Sequence, residues 1–533
     1  MSLEKVEWDY IVLGAGTAGC VLANRLASSK RNKVLVLEAG HIDKSIKIKI
    51  PALQPLAFGR KNFDWCYKAE PDMTRDNFKP IWPAGKVWGG SSSLNGMIYI
   101  RGQKEDFDSW KNFGVKNWNY KDVLKYFIKS EKNERGPSPF HGIKGPLSIS
   151  NMKARHSLNK AFIQAASSCH IPFNNDFNGE KQQGVGEVQA FQRNGFRHNT
   201  SGAFLKPIMK KKNIKIISGA IINKILFKGK MAVGVNIIFK GKSLNYLSKG
   251  EVILSAGSIG SPLILQRSGI GNAKSLTKYG IKVLSDQKMV GCNLQDHPGV
   301  YCEFPANIST FNTEFNLYKM IKHGVNWLYN GNGPISTPAA TCCAFFNTDK
   351  IHNRPNAQIH FSPFSYHYSP LENLTLPNYP ALLTGTCILD PKTRGSVSIR
   401  SKDPIDPPVI KHFLWKEESD INKMTKALKK LSEIMSSSPI SEFIIKSPLY
   451  QKSEAEVKNY IKKNSFLGYH AAGTCAMGSK GVLNSDLTVK EVKNLRVIDA
   501  SVMPKIIRGN TNATVIMIAE KGSDFILSKP KKN

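Results

Sequence analysis

The sequence predicts an α/β fold, α+β taken over the whole chain, in which a Rossmann-like nucleotide-binding unit is interleaved with a second unit built on an antiparallel sheet. Three observations carry that expectation. An apolar run, Asp9-Tyr10-Ile11-Val12-Leu13, leads straight into Gly14-Ala15-Gly16-Thr17-Ala18-Gly19. A second strand, Val34 to Leu37, ends on the acid Glu38. From about Tyr301 to Ser465 the pattern changes to the alternation of half-buried strands.

The first run reads as strand, tight turn and helix start. Gly14 permits the turn, Gly16 leaves room for a pyrophosphate, and Gly19 lets helix and strand pack closely with the helix N-terminus facing the anion. Asn24 to Lys33 finishes the helix, and Glu38 follows at about the ~20-residue distance where a carboxylate meets a ribose hydroxyl. An acid there favours an unphosphorylated ribose, so NADP is disfavoured while FAD and NAD stay open.

At 533 residues the chain is too long for one compact core. No apolar run reaches membrane-spanning length, and the chain enters its first strand within a few residues, without room for a signal peptide; the expected compartment is the cytoplasm. Nine scattered cysteines lack CxxC spacing and read as reduced. A formal charge of +35 invites nucleic acid or an anionic membrane as partner. The lysines are spread among Asn and Ile without a nucleic-acid motif, so a compositional bias is preferred; no nucleic acid is expected, and weak peripheral attraction to an acidic membrane stays open.

After Gly40 a proline-rich stretch ends in Gly85-Lys86-Val87-Trp88-Gly89-Gly90-Ser91-Ser92-Ser93-Leu94-Asn95-Gly96-Met97, small residues suited to backbone packed against a flat ligand. Trp118 to Lys132 and His156 to Ser168 read as helices, Ile214 to Ile217, Ala220 to Phe227 and Val252 to Ala256 as strands. Farther on, Ala357 to Phe361 and Ser396 to Arg400 read as strands, Asp420 to Met435 and Ser453 to Lys463 as helices, and the tail from Ser528 as frayed.

The Gly85 stretch, the opening glycine motif and a further block, Gly257-Ser258-Ile259-Gly260-Ser261-Pro262-Leu263-Ile264-Leu265-Gln266-Arg267-Ser268-Gly269-Ile270-Gly271, together resemble the glucose-methanol-choline (GMC) family of FAD oxidoreductases. The similarity continues through Gly291-Cys292-Asn293-Leu294-Gln295-Asp296-His297 to the C-terminus. The resemblance implies FAD held by Gly14, Gly16, Thr17, Ala18, Gly19, Glu38, Ala39, Trp65, Gly85, Gly89, Gly90, Asn95, Gly96, Ile222, Ala256, Asp499, Ala500, Asn510 and Thr511. Family members that bind flavin covalently carry a histidine where this chain has Leu94, which implies non-covalent FAD. The implied division is a FAD-binding unit over 1–155, 199–303 and 465–533, interrupted by a substrate unit over 156–198 and 304–464.

His470, in Gly468-Tyr469-His470-Ala471-Ala472-Gly473-Thr474, sits where the family carries its catalytic histidine; Ala471 replaces the usual proline. An imidazole near its ordinary pKa accepts an alcohol proton at neutral pH. Asn510 matches the partner position, where an amide bonds the substrate oxygen, and Tyr469 adds an aromatic wall. The other histidines, the His360 and His367 neighbourhood included, lack metal-ligand spacing, so no metal is expected. The reading is a FAD-dependent oxidation of an alcohol to an aldehyde or ketone, with quinone, carrier protein or oxygen open as electron acceptor. Three alternatives stand beside it: a choline dehydrogenase, a lyase or decarboxylase on the same fold, and a non-catalytic basic nucleotide-binding protein. For choline, Trp65 and Tyr469 offer aromatic faces to a quaternary ammonium. Choline-specific relatives carry a carboxylate nine residues beyond the position of Asp296, where this chain has Pro305; Glu303 could serve only with a shifted register.

Overall fold

The computed structural model describes residues 7–314, 317–349, 354–366 and 375–528. Burial of the apolar run places Trp8–Leu13 inside a seven-stranded sheet, between two parallel neighbours, Val34–Glu38 and Lys242–Leu254. Ile214–Ser218 extends the parallel side beyond Val34–Glu38, and Leu495–Val497 pairs in parallel with the end of Lys242–Leu254. Ala220–Lys228 and Met231–Phe239 continue from the first half of Lys242–Leu254 as an antiparallel meander. The strands at the sheet centre are buried on both faces, and their near-continuous Val, Leu and Ile runs follow from that.

Lys242–Leu254 is the main departure from expectation, since only its last residues read as strand in the sequence. Its first half alternates exposed polar and half-buried residues, pairing with Met231–Phe239, and its second half is the buried partner of Trp8–Leu13. The first helix spans Thr17–Leu26 rather than reaching Lys33. Asn32 Nδ2 donates to the carbonyl of Leu26 at 2.9 Å and Asn213 Nδ2 to those of Ala27, Ser29 and Asn32, so side-chain amides stop the helix early. The helix expected over 118–132 is Tyr120–Ser130: Asn119 and Asp122 form a capping box, and the chain then becomes the short strand Glu131–Asn133. Ser396–Ser398 pairs only with Val409–Lys411, outside both large sheets. The helices Ser157–Ser168, Glu418–Met435 and Glu454–Asn464 fall within two residues of expectation, with His156 and Ser453 as N-caps of the first and last. The final helix spans Asn512–Leu527, and the tail expected to fray lies almost wholly outside the described residues.

A second, six-stranded sheet is antiparallel throughout, in the order Ser465–Leu467, Pro298–Pro305, Ala381–Ile388, Ala357–Ser362, Cys342–Phe346, Gly184–Glu187. Its outer face packs with Ser157–Ser168 and Glu418–Met435 into one apolar core, and the first sheet sits in another. Along Pro298–Pro305 the even positions Val300, Cys302 and Phe304 enter that core, while Tyr301, Glu303 and Pro305 face the other way. This second face roofs the site.

Candidate active site

A cavity of about 1560 Å³ lies between the C-terminal ends of the parallel strands and the second sheet. Three helix N-termini reach it, at Thr17, Gly257 and Asn512; those at Thr17 and Asn512 have no side-chain cap, so their N–H groups remain available to an anion, whereas Gly257 N donates to Asp499. Of the residues assigned to the cofactor, all but Gly19 and Gly89 line this cavity. Those two act one step back. A Cβ on Gly19 would lie 1.9 Å from the carbonyl oxygen of Gly14. Gly89, at φ +85°, donates its N–H to Ala15 O at 2.8 Å and so binds the second loop to the first.

A Cβ on Gly16 would meet nothing closer than 3.9 Å and would project into cavity space, the open cradle a pyrophosphate needs. Glu38 is buried at the strand end, with Oε2 accepting from Ala15 N and Oε1 from Gly40 N, each at 2.7 Å. Burial raises its pKa against the pull of those two N–H groups. The carboxylate therefore pins the glycine loop while still facing the cavity. Asp499 does the same at a second point: Oδ2 accepts from Gly257 N at 2.9 Å and from Ser261 Oγ, and Oδ1 from Ser501 N. Leu94 is buried against the cavity and offers no nucleophilic atom.

At the far end His470 and Asn510 come together from segments forty residues apart, with Asn510 Nδ2 3.3 Å from His470 Nε2. Gln358 Nε2 donates to Asn510 Oδ1 at 3.3 Å, which turns the Asn510 amide so that its NH₂ faces the histidine. His470 Nε2 then accepts, and the neutral ring carries its proton on Nδ1, 3.0 Å from His297 Nδ1, to which it donates. The Nε2 lone pair is thus engaged by the Asn510 amide, and both side chains line the cavity. Burial, then the neighbouring His297 and His360, push the His470 pKa well below 6.5, so the expected ordinary imidazole pKa is corrected downward. His297 and His360 are both lowered to about 4, mainly by burial. Three neutral imidazoles cluster here.

The backbone of the loop is held by Asp296, which is fully buried. Its Oδ1 accepts from His470 N at 2.7 Å and His297 N at 2.8 Å, and its Oδ2 from Tyr469 N at 3.1 Å. Tyr469 adopts φ +61°, a left-handed conformation that these bonds stabilise. Its ring stands edge-on to Phe58, 5.3 Å between centroids. Trp65 lines the cavity but stacks on Tyr67 and carries the Lys86 ammonium 4.8 Å over its face.

Sequence reasoning missed Gln358, His360 and the role of Asp296. Gln358 and His360 alternate with core residues on Ala357–Ser362, and polar side chains on one face of an otherwise buried strand are the signal that could have found them. It also missed the wall of Tyr301 stacked on Phe466, 3.9 Å between centroids, and Tyr366, which line the cavity together with the Glu303 that the sequence offers. His367 lies outside the described residues. No cluster able to hold a metal ion occurs among the described residues.

Known proteins resemble this chain over most of its length. The family model for the N-terminal part of GMC oxidoreductases matches residues 8–299, and that for the C-terminal part matches 391–519. The chain is 36% identical over 535 residues to an oxygen-dependent choline dehydrogenase of Vibrio vulnificus, covering 98% of this chain and 94% of that protein. It is 36% identical over 533 residues to an alcohol dehydrogenase [acceptor] of Pseudomonas putida, covering 98% and 96%. Among solved structures it superposes on pyridoxine 4-oxidase from Mesorbium loti with TM-score 0.87 at 27% identity, covering 97% and 98%. It also superposes on a formate oxidase of Aspergillus oryzae studied for its FAD modification, with TM-score 0.90 at 25% identity, covering 98% and 99%.

Proposed function

The chain belongs to the GMC oxidoreductase family, and from that premise we propose that it oxidises an alcohol to an aldehyde or ketone with non-covalent FAD, His470 taking the hydroxyl proton and Asn510 holding the oxygen. The observation that carries the reading is the convergence of His470 Nε2 and Asn510 Nδ2 on one cavity whose other end is the glycine cradle. When bound, FAD supplies the two-electron acceptor for the carbinol hydride. The cradle fits it: Gly16 and the Thr17 helix end would take the pyrophosphate, Glu38 a ribose, and Ile222 the adenine side. His297 fixes the tautomer that makes His470 Nε2 an acceptor, and Gln358 fixes the Asn510 amide as donor; an alcohol hydroxyl entering between the two would replace their mutual contact, donating to Nε2 and accepting from the amide. Tyr469 and Phe58 narrow the approach on the loop side.

Both large sheets draw strands from separated stretches of the chain, which supports an interleaved division, but Pro298–Pro305 and Ser465–Leu467 belong to the antiparallel sheet, so the boundaries expected at 303 and 464 fall instead before Pro298 and after Leu467. All nine cysteines are free, which fits a reducing compartment such as the cytoplasm. No described helix is long and apolar enough to cross a membrane.

A cationic alcohol such as choline is the second reading. Glu303 sits on the same strand face as Tyr301 and lines the cavity two residues before Pro305, so a shift of two keeps a carboxylate on the correct face. Anaerobic reduction of the flavin by choline and by its uncharged carbon isostere separates the readings: equal rates favour a neutral alcohol, and a strong preference for choline favours the cation.

Because Leu94 cannot form a histidyl bond, acid precipitation is expected to leave the yellow colour in the supernatant; a washed pellet that stays yellow contradicts the assignment. Glu38→Ala is expected to weaken FAD retention by about 1.5–3 kcal/mol, since a charge-assisted hydrogen bond is lost and the Ala15 and Gly40 N–H groups lose their acceptor. Turnover in the fraction still loaded should change little. Full flavin occupancy of Glu38→Ala in dilute solution would count against the placement of the ribose.

A further inference from the structure

The helix Leu317–Asn330 is turned inside out. Tyr318, Ile321, Val325, Leu328 and Tyr329 fall on one face at helical spacing, and that face is exposed, Leu328 by 71% and Tyr329 by 89%. The opposite face holds the helix to the protein. Trp327 is buried with its Nε1 donating to Gly195 O at 3.0 Å, and Lys319 Nζ and His323 Nε2 lie 3.1 and 2.9 Å from Glu314. A helix that places its polar and aromatic anchors inward and five large apolar side chains outward presents them to something other than water.

The ground around it is cationic. Phe196, itself exposed, lies 4.3 Å from Trp327 between ring centroids, on a hairpin whose Arg197 Nε donates to Ile48 O at 3.0 Å. That bond ties in the short helix Ile46–Lys49, which exposes Ile46, and Pro51–Leu56 packs against Pro334–Ser336 just beyond the long helix. Lys44, Lys47, Lys49, Lys61, Arg193 and Lys322 are exposed on these segments. Across 41–62, 192–197 and 317–336 the sequence holds one acid, Asp43, and it is buried and paired with Lys206 at 2.8 Å.

We propose that this face docks the protein on an anionic lipid surface, with the apolar side of Leu317–Asn330 entering the headgroup boundary and the lysine rim meeting the lipid phosphates. Apolar depth with a basic margin is the pattern of interfacial helices, and tyrosines at both ends suit the headgroup level. A second copy fits less well, because a two-fold contact through this face would set the same cationic rim against itself. Gln54, Pro55 and Phe58, on the segment that carries Lys61, line the cavity, so docking brings a wall of the cavity toward the bilayer.

The test is flotation of the flavin-loaded protein with phosphatidylcholine vesicles, with and without phosphatidylglycerol. Binding is expected to the anionic vesicles and to weaken as salt is raised. Ile321→Glu/Leu328→Glu should reduce it by about tenfold or more, the scale of losing two buried aliphatic side chains. Both positions are exposed, so flavin content and dye-coupled alcohol oxidation should stay at the wild-type level and serve as the control for folding. Failure of the wild type to float with anionic vesicles at low salt overturns the proposal, as does equal flotation of the double variant. A wild-type dimer in sedimentation velocity that the double variant dissolves, without lipid binding, assigns the face to a second copy and overturns it too.

Discussion

His470→Ala is expected to keep its flavin and to lose about 10²–10⁴ in the rate at which an alcohol reduces it, because the proton acceptor that stands beside Asn510 is gone. The glycine cradle that would hold the pyrophosphate lies at the other end of the cavity, and the hydrogen bonds of the His470 ring go to His297 and Asn510, so losing the ring leaves the cradle intact. The pH profile identifies the group. Burial and two neighbouring imidazoles hold His470 below the ordinary histidine value, so the wild-type acid limb should lie below pH 6.5, with the rate rising as the ring loses its proton and level above. Stopped-flow reduction under anaerobic conditions measures it. The alanine variant should be slow and lack that limb, whereas Asn510→Ala should be slow and keep it, since an amide removes a hydrogen bond and not a titrating group. Stability follows the same sign. Native His297 and His360 resist protonation, so the stability they contribute is full above about pH 6.5 and is lost as pH falls toward and through about 4.

Asp296→Ala should be the most damaging change outside the reacting groups. Three backbone N–H groups lose their acceptor, those of His297, Tyr469 and His470, and each buried donor left unpaired costs about 1–3 kcal/mol. The loop carrying His470 would then shift, and a displacement near 1 Å costs about 10² in rate. Asp296→Asn separates the two effects. Its oxygen can still accept from His297 and His470, so much of the activity should return, while its NH₂ opposes Tyr469 N. Burial raises the Asp296 carboxyl to about 7, so it favours folding at low pH and costs stability as pH rises from about 4 to about 7. Asparagine should remove that dependence, which thermal melts across the range would show. An Asp296→Ala variant with wild-type melting and wild-type flavin reduction would show that the loop is held by other contacts.

What was legible in the sequence is what local chemistry dictates. Gly14 needs φ +106°, Gly19 packs on the Gly14 carbonyl and Gly16 opens on the cavity, so the motif could be read locally, although a Cβ on Gly14 would also strike the distant Ser255 carbonyl at 2.6 Å. Capped helices such as Glu454–Asn464 announced their limits through Ser453 and Glu456. His470 and Asn510 were reachable through the family resemblance alone, since nothing in a lone His-Ala-Ala-Gly-Thr says that an asparagine forty residues on will meet it. Pairing across distance was not legible. Lys242–Leu247 is polar because one face meets water, and only its meander partner makes it a strand. Gln358 and His360 read as ordinary alternation until Asn510 was placed against them. The basic surface is invisible in sequence, because its three segments lie far apart in a chain that is lysine-rich everywhere.

The account stands or falls most directly on the visible spectrum of the purified protein before and after anaerobic addition of alcohols. It predicts the spectrum of oxidised FAD, released intact by acid, and bleaching of the flavin bands by at least one primary alcohol with formation of the matching carbonyl compound. A protein that carries no flavin, or whose flavin stays oxidised with neutral alcohols and choline alike, contradicts it.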